Sequence, residues 1–257
     1  MKGKELHALL RLPDKGGRSV VARVLEDGRF ETSTPVPLDA RTRVNECSGS
    51  SFAVRDGDVF ISNFPCDRIH CRLPGEKPRP DSVGGDVRNA DFVVDPRRNR
   101  LICIREDQVS AGDPAHTVAA VDLAGEPFGD ARFERAGFFA FPDLSGDGGK
   151  PAWVAWDHQG MPFFSCAIGT DDAGDDGVLA DARQIPPEQE ESITDSRWSP
   201  EDVLSFGSDR TDGWDHYHWR EGEVSPVCPI EAEQGIPYLS SGKTMYRFLT
   251  QSRVLAA

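Results

Sequence analysis

The sequence predicts an all-β chain that folds as an incomplete or open β-propeller of four-stranded antiparallel blades, with about four to five blades present. Three observations predict this fold. Turn sequences recur about every 50 residues, the short runs between them have the residue types of strands, and no segment sustains the period of an amphipathic helix. Four short strands in each repeat of about 40 to 50 residues are typical of a propeller blade.

Two interleaved series of turns mark the repeat. The first series starts at Gly28 and the second at Gly57, each preceded by aspartate. Asp-Gly suits a two-residue hairpin turn, because glycine accepts a positive φ. The first series continues at Gly75, Gly125, Gly177 and Gly222, and the second at Asn99, Gly149, Asp202 and Gly242. A β-sandwich would not repeat its turns in register, so the propeller is the favoured all-β architecture.

Between the turns, short runs rich in β-branched and aromatic residues predict the strands. In chain order they are 20–24, 59–62, 68–71, 101–104, 118–121, 152–156, 163–166, 203–206, 216–219 and 245–248. We expect a single domain over residues 1–257. Its repeats, each predicted to form one full or partial blade, are 1–46, 47–88, 89–132, 133–185, 186–230 and 231–257.

Charge and composition exclude some classes of function. The 257 residues include 29 Lys and Arg against 43 Asp and Glu, a net charge of −14. This chain lacks the basic surface that neutralises phosphates, so neither nucleic acid nor an anionic membrane is an expected partner. We recognise no apolar run long enough to span a membrane and no export signal. The six cysteines form no regular framework, so we expect free thiols in a reducing cytoplasm.

Two segments contain residues that match a known family. Residues 198–210 resemble the blade signature Trp-Ser-Pro-Asp-Gly … Phe-x-Ser-Asp-Arg of TolB-type propellers and of the propeller of prolyl-oligopeptidase-family serine peptidases. Residues 152–162 are similar to the Leu-Ala-Trp-Asp-His-Pro-x-Met-Pro segment of the acylaminoacyl-peptidase and dipeptidyl-aminopeptidase-like branch of that family. The signature residues are Trp156, Asp157, His158, Trp198, Ser199, Pro200, Ser208, Asp209 and Arg210. Segments 41–46, 90–96, 190–193 and 229–233 resemble the same branch in the same order.

The resemblance implies a propeller that caps an α/β-hydrolase domain with a Ser-Asp-His triad, gates access to it and binds peptide substrates. This sequence contains no Gly-x-Ser-x-Gly nucleophile elbow, so we predict no catalytic residue on this chain and no cofactor. The expected partner is a peptide, a hydrolase domain or a partner chain. The unpaired strand edges of an open propeller would also favour self-association.

Glu190 and Glu191 are the predicted substrate-binding residues. In dipeptidyl-peptidase relatives, paired propeller glutamates bind the free amino terminus of a substrate, which two carboxylates can do by charge-assisted hydrogen bonds. The alternative is a pair of solvated acids beside a proline-rich turn. For the signature residues we expect structural roles, with Asp209 accepting backbone N–H bonds in its turn and Arg210 reaching the neighbouring blade.

No metal site is predicted. The loop that begins at Asp143 resembles the start of a calcium loop, but Val154 stands where that loop requires a closing glutamate, so we expect a hairpin turn. His216 and His218 lie two residues apart on one predicted strand and could share a metal. The spacing suggests no third ligand, so ordinary strand packing is the favoured interpretation.

Three interpretations of function stay open at this point. The leading one is a non-catalytic propeller portion of a prolyl-oligopeptidase-family serine peptidase. The second is a stand-alone TolB-like propeller that acts as a protein-interaction module. The third is that this chain is a truncated piece of a serine peptidase. Departures from the family pattern, such as Cys47 and Ser48 after Glu46 where the family has Tyr-Gly, keep a truncated or decayed sequence among the open interpretations.

Overall fold

The computed structural model shows strands joined by turns, with helix only in two 3-10 turns, Pro13–Lys15 and Val44–Glu46, among the residues it describes. No helix in the part of the chain that the structure describes is long and apolar enough to cross a membrane. The described residues are 5–46, 49–80, 82, 86–108, 112–123, 131–133, 137–157, 161–175, 177, 182–185, 190–220, 222–228, 233–235, 244, 246–250 and 253–256.

The strands form six antiparallel sheets in chain order. The first sheet contains β1 (Leu6–Leu12), β2 (Arg18–Val24) and β3 (Phe30–Thr32). The second contains β4 (Phe52–Arg55), β5 (Asp58–Asn63), β6 (Arg68–Arg72) and β7 (Arg79–Pro80). The third contains β8 (Val87–Asp95), β9 (Arg100–Asp107), β10 (Ala115–Asp122) and β11 (Ala131–Phe133). The fourth contains β12 (Phe138–Leu144), β13 (Pro151–Trp156), β14 (Ala167–Thr170) and β15 (Arg183–Ile185). The fifth contains β16 (Ile193–Trp198), β17 (Leu204–Ser208), β18 (Asp215–Arg220) and β19 (Glu223–Pro226). The sixth contains β20 (Tyr246–Thr250) and β21 (Arg253–Ala256).

The arrangement of the sheets is that of an open propeller. In each four-stranded sheet the strands follow one another in chain order. The first strands of successive four-stranded sheets contact one another, β4 with β8, β8 with β12 and β12 with β16, so these strands lie innermost, as in propeller blades. Among the described strands, none of the first sheet pairs with one of the last. The predicted all-β, four-stranded, open architecture is confirmed.

Three inner strands share a bulge that the sequence analysis did not predict. Asp91, Phe141 and Asp195 have φ near +50°, and at each one the register of the first strand shifts against the second. A bulge of this kind twists a strand and frees its backbone for other contacts. Asp91 accepts a hydrogen bond from Ser50 N at 2.6 Å, and Ser196 Oγ donates to the carbonyl of Phe141 at 3.0 Å. The bulges therefore join neighbouring sheets.

The hydrophobic core is divided into layers between successive sheets. Ile104, Phe139 and Trp153 pack together between the third and fourth sheets, and Phe141 and Phe206 pack between the fourth and fifth. Burying each side chain of this size contributes about 1.5–3 kcal/mol. Because each layer uses residues from two sheets, each of the first five sheets shares its core with a neighbouring sheet.

The predicted strand at 163–166 is wrong, whereas the other predicted strands overlap observed ones. Phe164 N donates to the carbonyl of Met161 at 2.9 Å in a turn, and the strand begins at Ala167. Two adjacent phenylalanines have high strand propensity, but the register of the sheet determines where the strand begins. Gly169 pairs with Trp153, and a Cβ at Gly169 would lie 2.2 Å from the indole, so only glycine leaves room for the ring.

Candidate functional site

The antiparallel register gives each four-stranded sheet two ends. In the fourth sheet, Phe138 at the start of β12 pairs with Trp156 at the end of β13. In the fifth, Ile193 at the start of β16 pairs with Ser208 at the end of β17. We call this end, where the first strand of a sheet begins and its second strand finishes, the first-strand end.

Hydrogen bonds between the fourth and fifth sheets join the first-strand end of one sheet to the first-strand end of the other, and the opposite ends likewise. Ser192 Oγ, just before β16, donates to the carbonyl of Pro162 in the connection after β13, at 2.6 Å. At the other end, the N–H of Trp198 donates to Asp143 Oδ2 at 2.7 Å. The fourth and fifth sheets therefore run in the same direction, and their first-strand ends lie side by side.

The structure divides the predicted site residues between these two ends. The first-strand end holds Trp156, Asp157, Glu190, Glu191, Ser208, Asp209 and Arg210. The opposite end holds Trp198, Ser199 and Pro200. His158 lies outside the described residues.

Glu191 and Arg210 form a buried ion pair at the first-strand end of the fifth sheet. Glu191 is only 2% exposed, and its carboxylate accepts hydrogen bonds from Arg210 Nε at 2.9 Å and Nη2 at 2.8 Å. Ser208 Oγ donates a third bond to it, and the guanidinium lies 4.9 Å from the ring centre of Tyr217. This bidentate geometry fixes both side chains. The Glu191 carboxylate therefore stabilises the first-strand end of the fifth sheet.

The two predicted substrate-binding glutamates have different surroundings. Glu190 is exposed, whereas its neighbour Glu191 is buried against Arg210. Asp209 Oδ1 accepts the N–H of Ser192 at 2.8 Å, which ties the turn after β17 to the start of β16. Arg210 reaches a carboxylate that precedes β16 of its own sheet.

A second polar cluster lies at the first-strand end of the third sheet, and sequence reasoning did not assign it. Glu106 is buried, and its carboxylate accepts hydrogen bonds from Arg88 Nη1 at 2.8 Å and Asn45 N at 2.7 Å. His116 Nε2 lies 3.0 Å from the same carboxylate. Burial acts to raise the pKa of Glu106, but the hydrogen bonds from His116 and Asn45 hold it below the ordinary value.

Glu46 is the solvent-facing member of this cluster. Its carboxylate contacts the same Arg88 guanidinium that binds Glu106, yet 74% of its side chain is exposed. Asn45 and Glu46 both adopt positive φ, 56° and 52°, which is strained for glutamate and is found mostly where the surrounding structure imposes it. The resemblance of segment 41–46 to the peptidase branch was the sequence signal that marked this loop.

Trp156 and Asp157 contribute differently to this end. The Trp156 ring stacks on Phe138 at 5.5 Å between centroids, and Phe138 contacts the His116 ring at 4.8 Å. Trp156 therefore belongs to the core between the polar clusters. Asp157 is exposed, and its carboxylate accepts the N–H of Gly137 at 3.4 Å, which caps the start of β12.

The opposite end forms a closed turn. Ser199 Oγ accepts the N–H of Val203 at 3.1 Å, and Ser199 N donates to the carbonyl of Val203 at 2.8 Å. Burial raises the pKa of Asp143, which accepts the N–H of Trp198. These contacts stabilise the turn. Among the described residues, no three metal-ligating side chains come together.

Comparisons with known proteins identify the architecture. No protein-family model matches the sequence, and a comparison with curated proteins gives no match. A puromycin hydrolase structure superposes with a TM-score of 0.86 and 29% identity over 95% of this chain. A puromycin-hydrolyzing peptidase of Mycobacterium tuberculosis gives 0.87 and 27% over 99%. This chain resembles the N-terminal propeller portion of puromycin-hydrolysing peptidases.

This chain spans less than half of those structures, 40% of the first and 42% of the second. TolB from Agrobacterium tumefaciens superposes with a TM-score of 0.53 at 13% identity, over 90% of this chain and 73% of that one, which shows a shared fold alone. The resemblance to prolyl-oligopeptidase-family peptidases is confirmed for the propeller portion.

Proposed function

We propose that this chain is the non-catalytic propeller portion of a puromycin-hydrolase-like serine peptidase, in which it gates and binds peptide substrates. One observation carries the proposal: the chain superposes with TM-scores of 0.86 and 0.87 on peptidases at 27–29% identity, but with 0.53 at 13% identity on TolB. A propeller that had evolved as a separate TolB-like module would not be expected to keep closer likeness to a peptidase.

The chemistry of the first-strand end supports peptide binding. Glu46 presents an exposed carboxylate at the first-strand end of the third sheet, and Glu190 presents one at the first-strand end of the fifth sheet. The residue next to each of these glutamates is held in place by a buried partner. Asn45, which precedes Glu46, donates its N–H to Glu106, and Glu191, which follows Glu190, is paired with Arg210. We propose that Glu46 and Glu190 bind the free amino group of a peptide and that Glu191 positions Glu190. An ammonium group offers three N–H donors that carboxylates accept well.

The partner and cellular setting belong to the same proposal. A hydrolase domain, on this chain or a partner, would supply the nucleophile, since these 257 residues contain no Gly-x-Ser-x-Gly elbow. The predicted repeats each contain one sheet apart from a residue or two at the ends of β8 and β11, which supports one blade per repeat. The described cysteines are free thiols, which supports a reducing cytoplasm.

Peptide binding by the purified chain tests the proposal. We expect triglycine to bind at least about tenfold more tightly than N-acetyltriglycine, measured by titration calorimetry, because acetylation removes the ammonium charge. A Glu46→Gln and Glu190→Gln double variant should remove this preference. Glu201→Gln, an exposed acid at the opposite end, is the matched control and should keep it.

Two results would contradict the proposal. Equal affinity for the two peptides in the unmodified chain would rule out recognition of the amino group. Cleavage of an aminoacyl-p-nitroanilide by the purified chain would show that it is catalytic. Addition of a separately expressed hydrolase portion of a puromycin hydrolase should produce cleavage where neither piece cleaves by itself.

A further inference from the structure

A groove of about 840 Å³ opens beside β6 and β7 of the second sheet, away from the inner strands. One wall is apolar and includes Pro35, Val36 and Pro78. Val36 is 77% exposed, so this wall is open to small molecules. Cys66 and His70 also line the groove. An apolar groove with a few convergent polar groups is the usual form of a small-molecule site.

The thiol and the imidazole in this groove are in contact. Cys66 Sγ lies 3.8 Å from His70 Nε2, and Asn63 Nδ2 donates to the sulfur at 3.1 Å. Asn63 Oδ1 accepts the N–H of Asp39 at 2.9 Å, which fixes the orientation of the amide. The thiol also donates to the carbonyl oxygen of Asn63 at 3.8 Å. The sulfur therefore lies between a hydrogen-bond donor and two acceptors for its proton, one of which is the ring nitrogen.

The contact places the imidazole where it can take up that proton when the thiol reacts. Burial and the charge of Arg68 lower the pKa of His70, which favours the neutral ring that can accept a proton and also makes it a weaker base. Arg68 and Lys77 both line the groove. Elsewhere in the chain, burial raises the pKa of the Cys103 thiol to about 12.

We propose that Cys66 is a covalent modification site for apolar α,β-unsaturated carbonyl compounds and that His70 accepts its proton. The thiolate sulfur forms a bond to the β-carbon, the carbon–carbon double bond opens, and its electron pair moves to the carbonyl oxygen as an enolate. The His70 imidazolium then returns the proton to the α-carbon. The addition needs no oxidant and releases no leaving group. Arg68 and Lys77 are the donors available to the carbonyl oxygen.

Site-resolved labelling of the full chain tests the proposal. The probes are N-phenylmaleimide and N-methylmaleimide, which share one reactive group and differ in apolar area, and the rate is measured at each cysteine by mass spectrometry. Cys228 is exposed and is the internal reference. We expect N-phenylmaleimide to label Cys66 faster than Cys228, and His70→Gln to lower the Cys66 rate by roughly 10- to 100-fold, the low end for a general base, without changing Cys228.

The fold is monitored in the same samples. Cys103 and Cys166 are buried and stay unlabelled while the core is intact. If they become labelled in His70→Gln, His70→Asn replaces it. The proposal is overturned if Cys66 reacts no faster than Cys228, or if its rate survives loss of the imidazole in a folded variant. Val36→Asp should reduce the preference for N-phenylmaleimide, and an unchanged preference would overturn the role of the apolar wall.

Discussion

Replacement of Glu191 by glutamine should strongly destabilise the fold, although the change removes only a charge. The carboxylate accepts two hydrogen bonds from Arg210 and one from Ser208 and is almost fully buried. Glutamine offers one acceptor oxygen in place of two, so the guanidinium loses its bidentate partner and stays largely buried. An uncompensated buried charge is costly because the interior solvates it poorly.

The magnitude follows from the burial of the pair. Removing one partner of a buried ion pair costs about 3–5 kcal/mol, and in a chain of this size each kcal/mol shifts the melting temperature by about 2–4 °C. Because 12% of the Arg210 side chain is exposed, water relieves part of the cost. We therefore expect a fall of about 10 °C in melting temperature.

Thermal unfolding followed by circular dichroism measures this effect. Glu190→Gln is the matched control, since it makes the same chemical change one residue away at an exposed position, and should shift the melting temperature by no more than about 2 °C. A Glu191→Leu and Arg210→Met double variant should lose less than the sum of the single changes, because no charge is left unpaired. Equal melting temperatures for Glu191→Gln and Glu190→Gln would refute the reasoning.

Two further changes test the packing and the charges of the inner blades. Gly169→Ala should cost about 1–3 kcal/mol, because its Cβ would collide with Trp153, whereas Gly213→Ala has open space around it and should be close to neutral in urea unfolding. Burial acts to raise the pKa of Asp95, but hydrogen bonds from two arginines hold it below the ordinary 3.8. The stability that the Asp95 carboxylate contributes is therefore fully present above pH 3.8 and is lost as the pH falls through its lowered pKa. Asp95→Asn should lower stability at pH 7 and flatten the acid unfolding curve below about pH 4, and an unchanged acid curve would contradict this assignment.

The sequence was most informative where local chemistry decides the structure. Asp56-Gly57 joins β4 to β5 as a tight turn, with both residues at positive φ, as the dipeptide predicts. The sequence was misleading at 163–166, where strand propensity conflicted with the pairing of Trp153 and Gly169. Propensity describes one residue at a time, whereas the position of that strand depends on the ring on its neighbour.

The candidate site could be predicted only in part. Glu190 and Glu191 are adjacent acids in the sequence, yet Glu190 is exposed whereas Glu191 is buried and paired with Arg210. The cluster around Glu106 joins residues from the loop at Asn45 and from β10 at His116. Residues this far apart in the chain follow no regular spacing, so a single sequence gives no sign that they lie together.

The sequence by itself determined the all-β class, the repeat of about 50 residues and the peptidase-like segments, because turns and alternating strands are encoded in consecutive residues. Only the tertiary structure decided which carboxylates face solvent, which of them hold an arginine, and that Cys66 meets His70 beside an apolar wall. Burial depends on how sheets from different repeats stack, and partner choice depends on residues that are separated along the chain, as Glu191 and Arg210 are. The physical reason is that a carboxylate or a thiol takes its chemistry from the charges and the solvent around it, and both its own sheet and the neighbouring sheets supply these.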